Sequence, residues 1–131
     1  MKPPSIRPCG SCPYRRDVPS GIWHPDEYGK LPGFDGTSSQ TSVFLCHQQD
    51  GRLCAGWVGC HDMGSALGIR IAAAFGHLTE ADVDEVLDYT TDVPLFALGA
   101  DAAAHGLRDV KRPGRRAITK IEGLKRKERT T

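Results

Sequence analysis

Five cysteines, a C-x2-C pair at Cys9 and Cys12 followed by Cys46, Cys54 and Cys60, constrain this 131-residue chain more than any other feature. An odd count in a short chain suits a disulfide framework poorly. The N-terminus, Met1 to Pro8, carries no apolar stretch behind its positive charges, so a secretory signal is not expected. No segment approaches the roughly 20 apolar residues that a membrane span needs. A reducing cytoplasm is the expected setting, and there clustered cysteines bind metal or do redox chemistry more often than they form lasting disulfides.

Cys9-Gly10-Ser11-Cys12 is a hook whose intervening Gly and Ser permit a tight turn, so two thiolates can face one metal. Pro13 fixes the exit. Cys46 and Cys54 supply a second group, with Gly51 between them to let the chain return. The expected ligands of a single metal centre are therefore Cys9, Cys12, Cys46 and Cys54, with His47, Cys60 and His61 as alternates. Cys60 is not expected as a primary ligand, because a free cysteine also serves as a small buried apolar residue. Zinc is slightly favoured as the commonest structural staple of four-cysteine sites. A [4Fe-4S] cluster is the alternative, since the cysteines after the hook are widely spaced and Phe34, Phe44 and Trp57 could shield it. A dithiol couple at Cys9 and Cys12 stays open as a further alternative, with Arg15 and Arg16 to lower a thiol pKa, although no βαβ pattern surrounds the pair.

The run RPCGSCPYRRDVPSG with Ile22-Trp23, followed by Phe44-Leu45-Cys46-His47 and Cys54-Ala55-Gly56-Trp57, resembles a family of small uncharacterised proteins from actinobacteria and their phages. The resemblance covers about the first half of the chain. It implies recurring cysteine positions and an actinobacterial or phage cytoplasm, without implying a reaction. A looser likeness is to the actinobacterial WhiB-like iron-sulfur regulators, which combine four cysteines, a segment with Gly and Trp, and a basic tail. This chain departs from them in placing C-x2-C first and in lacking a GVWGG-type turn.

Composition divides the chain. Residues 1 to 62 hold every cysteine, both tryptophans and seven of the nine prolines, which suits loops organised by a metal, with one helical turn at Pro25 to Lys30 and a short strand at Thr41 to Cys46. Residues 63 to 105 are helical in pattern. Ala66 to Phe75 is apolar around most of its circumference and is closed by Gly76, and Thr79 N-caps a helix that ends near Tyr89 with Val83, Val86 and Leu87 on one side. Leu95 to His105 resumes helical character and stops at Gly106. The expected fold is α+β: a loop-rich, metal-centred half with a short strand pair, packed against two or three α-helices. One domain over residues 1–105 would then carry a flexible basic tail over 106–131.

That tail holds ten basic residues against three acidic ones, while residues 77 to 105 hold seven acidic residues and no Lys or Arg. Lys111, Arg112, Arg115, Arg116, Lys120, Lys125, Arg126 and Lys127 are the candidate contacts to nucleic acid or to an acidic protein surface. Ile118, Ile121 and Leu124 could organise a short helix there against a partner. Trp23 and Trp57 fit core packing over the metal before any stacking role, and His24, His77 and His105 fit surface or helix-end positions. An enzyme is the less favoured reading. Four thiolate ligands leave no vacant metal position, and no Gly-rich nucleotide loop is present. The leading expectation is a regulatory or adaptor protein that binds nucleic acid or a protein partner. A redox protein and a structural phage or host component with a zinc staple are the alternatives.

Overall fold

The computed structural model describes residues 1–46 and 48–130. Among them the chain forms six α-helices, α1 (Pro25–Gly29), α2 (Ala55–Cys60), α3 (Leu67–Ala74), α4 (Glu80–Leu87), α5 (Gly99–Arg108) and α6 (Arg115–Thr130), with 3-10 turns at Leu31–Phe34 and Met63–Ser65. No described helix is long and apolar enough to cross a membrane.

The expected α+β fold with a strand pair is not what forms. Among the described residues, pairing is confined to isolated bridges, Leu45 with Leu53, Lys2 with Arg52 and Arg15 with Leu95. Around the first of these, Cys46 N donates to Arg52 O at 2.8 Å and Cys54 N donates to Phe44 O at 2.9 Å. The ladder goes no further because the backbone at Ser42 and Val43 turns onto α3 instead. A Cβ at Gly68 would stand 2.6 Å from Ser42 O, so backbone lies directly against helix there. Beyond Cys54 the chain winds into α2, in the half expected to be loops.

The helical half follows local signals closely. α4 opens on a capping box in which Thr79 Oγ1 accepts from Asp82 N at 3.0 Å and Asp82 Oδ2 accepts from Thr79 N at 2.9 Å. Its inward face is Val86, while Leu87 is 51% exposed and so does not join the expected stripe. α3 buries Ile69 and Ala72, and Gly76 follows it at φ 78°, the left-handed conformation that ends helices. α5 differs at both ends. It starts at Gly99, after Leu95 and Phe96, because the hook engages that backbone: Arg16 N donates to Pro94 O and Phe96 N to Tyr14 O, both at 2.9 Å. It runs through Gly106, whose bare Cα lies under the Tyr28 ring, and stops where Ser20 Oγ accepts from Asp109 N at 2.9 Å and donates to Gly106 O at 3.0 Å.

The basic tail is not the flexible appendage the composition suggested. Residues 115–130 form α6, and Ala117, with 0% exposure, packs with Val18 and Ile22 while Ile121 and Leu124 flank them. Ile118 faces out, so the seam is 117, 121, 124, the i, i+4, i+7 spacing of a helix face.

Asp35 ties three segments together. Its Oδ1 accepts from Gly99 N at 2.6 Å and lies 2.7 Å from His61 Nε2, and its Oδ2 accepts from Ala100 N at 2.9 Å. One carboxylate therefore caps α5 and holds the residue that follows α2. Burial pushes its carboxyl up, but the His61, Gly99 and Ala100 hydrogen bonds outweigh that and hold it below its ordinary value. Its stabilising contribution is thus fully present above about pH 4 and is lost as pH falls through the lowered folded value. Asp35→Ala is expected to cost about 2–4 kcal/mol in urea unfolding, by loss of the cap and of the His61 partner. It should also flatten the acid limb of stability against pH.

Candidate metal centre

The hook is held by contacts that precede any ligand. Cys12 N donates to Cys9 O at 3.0 Å and Arg15 N to Cys12 O at 3.1 Å, two successive tight turns. Arg15 grips Asp17 through two nitrogens, at 2.8 Å each, and reaches back to Pro8 O at 3.1 Å. Trp23 Nε1 donates to Ser11 O at 2.9 Å, fixing the turn from the other side. Arg15 and Asp17 form an ion pair at 2.8 Å, while Arg16 is engaged through its backbone.

Across from the hook, Cys54 stands at the N-cap of α2 and Gly56 lies in its first turn. A Cβ on Gly56 would sit 2.5 Å from Cys12 Sγ and 2.7 Å from Tyr14 Cβ, so only glycine lets this sulfur seat against the helix. The Leu45–Leu53 register places Cys46 and Cys54 on one face as diagonal neighbours. Four cysteines from three stretches of sequence therefore lie near the junction of the hook and α2.

The four thiols lie near one another: Cys9 acts on the Cys46 thiol, Cys12 on Cys9, and Cys54 on Cys12. The Cys12 contact pushes the Cys9 thiol up, with burial adding to it, although the Cys46 contact opposes. The Cys54 contact and burial raise Cys12 well above the ordinary thiol value, against a lowering contact from Cys9. Contact with Cys9, then burial, raises Cys46 as well. Cys9, Cys12 and Cys46 are therefore held neutral, since a negative charge on any of them would face another thiol in a poorly hydrated place. Among the described residues, no three His, Cys, Asp or Glu side chains already stand as a group that could hold a metal ion.

The alternates fall elsewhere. His47 lies outside the described residues. His61 is directed to Asp35 and to Trp57 O, at 2.7 and 2.9 Å. Cys60 closes α2 with its Sγ 4.0 Å from His61 Nε2, and burial, with Asp35 and Asp101 behind it, pushes its thiol up to about 12. Trp57 is in the core as expected, its Nε1 donating to Phe34 O at 3.1 Å. The eight tail cations are all exposed, and Arg115, Arg116, Lys120 and Lys127 line a cleft facing Gly10 and Ser11.

Tyr14, Ser11, Gly56 and Asp35 are the site residues that sequence reasoning passed over. Tyr14 is fully buried between Phe44 and His61, in edge contacts with ring centroids at 5.8 and 6.1 Å, and its hydroxyl has no hydrogen-bond partner among the described residues. Burial, with Cys54 and Cys60 near, pushes that hydroxyl far above its ordinary value, so it stays a neutral phenol. The only available sign was its place directly after Cys12-Pro13.

A family model described as a family of unknown function (DUF6283) matches residues 4–123. No curated protein and no solved structure matches the chain.

The Gly56 contact generates a direct test. Gly56→Ala is expected to lose about 1–3 kcal/mol in chemical unfolding through overpacking against Cys12 and Tyr14. Gly29→Ala, where a Cβ meets nothing within 4 Å, should change stability by a few tenths of that.

Proposed function

The chain belongs to the family of unknown function DUF6283, and we propose that it is a metal-binding protein in which Cys9, Cys12, Cys46 and Cys54 hold one metal centre. The observation that carries this reading is the group of four neighbouring cysteines, partly or fully buried and drawn from distant positions. Cys9, Cys12 and Cys46 resist ionisation beside one another, and a bound cation reverses that, because it replaces their protons and offsets their mutual repulsion. The bridge between Leu45 and Leu53 sets Cys46 and Cys54 on one face.

Zinc is preferred over a [4Fe-4S] cluster. Tetrahedral zinc with bonds of about 2.3 Å puts sulfurs about 3.8 Å apart, the scale of thiols in direct contact. Dithiol catalysis is disfavoured by the raised thiols, since the thiolate is the nucleophile. A closed four-thiolate centre leaves no position for substrate, so the role we propose is regulatory or adaptor binding. Exposed Lys111, Arg112, Lys125 and Arg126 support contact with nucleic acid or an acidic protein surface. The RPCGSCPYRRDVPSG motif supports an actinobacterial or phage origin, and free thiols in this number support a reducing cytoplasm.

Anaerobic purification followed by absorption and elemental analysis decides the metal. One zinc per chain in a colourless protein, lost in Cys12→Ser, is the expected result. A broad band near about 400 nm with iron matching sulfide would establish the cluster instead. Absence of both metals would overturn the proposal. For the adaptor role, Lys125→Ala with Arg126→Ala is expected to weaken retention on nucleic acid at low salt by about tenfold, and unchanged retention would remove that role.

A further inference from the structure

We propose that the cleft between the Cys9–Cys12 loop and α6 is a binding site for a small phosphorylated ligand of mononucleotide size. The cleft encloses about 640 Å³ and is walled by Gly10, Ser11 and Pro19 on one side and by one face of α6 on the other. That volume lies within the 300–1,000 Å³ usual for small-molecule sites.

Its charge is of one sign along the helix. Arg115, Arg116, Lys120 and Lys127 line the α6 wall, and Lys120 Nζ lies 3.3 Å from where a Gly10 Cβ would be, directly over the hook. Asp17 is held by both nitrogens of the Arg15 fork, and Arg116 Nη2 donates to Asp17 O rather than to its carboxylate. Arg115, Arg116 and Lys120, gathered on one wall of a concave surface, repel one another, and a bound dianion relieves that repulsion through charge-assisted hydrogen bonds.

A second observation is independent of charge. Ser11 lines the same cleft, is 2% exposed, and its Oγ has no hydrogen-bond partner among the described residues. A buried hydroxyl without a partner is destabilising, and a phosphate oxygen seated against Ser11 would accept its proton. Pro19 and Leu124 add apolar surface to the lining, suited to an apolar body attached to the phosphate. The combination of cationic wall, orphan hydroxyl and apolar lining selects a phosphate ester over a bare divalent anion. It selects a small ligand over an extended strand, which would run along the outer cations Lys125 and Arg126 instead. The site adjoins the thiols, whose loop supplies one wall through Gly10 and Ser11, but none of its lining residues is a cysteine.

The test is calorimetric titration of the full chain, its metal content measured beforehand, with ADP, with pyrophosphate and with an oligothymidine single strand. ADP is expected to saturate one site and to bind more tightly than pyrophosphate. Lys120→Ala should weaken it by about tenfold or more and Ser11→Ala by several-fold, with circular dichroism unchanged. Lys125→Ala, outside the cleft, should leave ADP binding as it was. The proposal is overturned if ADP gives no binding up to millimolar concentration, or if Lys120→Ala binds it as well as the parent chain. It is equally overturned if the oligothymidine strand binds, loses affinity in Lys120→Ala and is not displaced by ADP, which would make the cleft a strand-binding surface. A metal-free result would sink the thiolate reading while leaving the ADP result to stand or fall alone.

Discussion

The seating of Cys12 against the first turn of α2 is the contact on which the rest of the N-terminal half depends. Cys12 and Tyr14 press on Gly56 with no space for a methyl group, so the hook and α2 approach as closely as backbone permits. From that contact the other sulfurs follow. Cys54 caps the same helix, Cys46 is set on its face by a single bridge, and Cys9 closes the turn. A site of this kind does not need strands. It needs three short backbone segments pinned at a common point, and packing supplies the pins.

The same economy appears at Asp35, where one side chain replaces what a sheet does in other small folds. By capping α5 and receiving His61 it joins the 3-10 turn, the end of α2 and the start of α5. On the opposite side, Ser20 closes the end of α5 through both its donor and its acceptor. α5 is therefore bracketed by two polar side chains from the Gly- and Pro-rich half, and the helical half is not a separate body. The hook, its exit loop and α5 constrain one another, which is why changes at the cysteines are expected to be felt across the chain.

α6 then completes the arrangement. Its small apolar seam, Ala117, Ile121 and Leu124, covers Val18 and Ile22, and doing so brings a row of cations over the hook. Charge that looks like a solvated tail in sequence becomes one wall of a cleft, and the loop that carries two thiols becomes the other. The chemistry of cysteines and of cations is thus adjacent in space although separated by more than half of the chain.

Local signals were legible where local energetics decide. The Thr79 capping box, the Gly76 stop and the Pro25 turn were all readable, because caps and turns depend on a few neighbouring residues. The turn through Gly10 and Ser11 and the left-handed Gly51 were also readable, since small residues let the chain turn there. The strand pair, the start of α5, the helix at Ala55–Cys60 and the docking of α6 were not. Each turns on a partner distant in sequence: Gly68 takes the backbone that a strand would have used, Tyr14 holds Phe96 out of α5, and Val18 with Ile22 gives Ala117 a place to bury. By itself the sequence determined which residues could carry chemistry and where the backbone could turn, because these are properties of side chains and their immediate neighbours. Tertiary structure alone decided which of them face one another, because burial and close approach are properties of pairs that the order of residues does not contain.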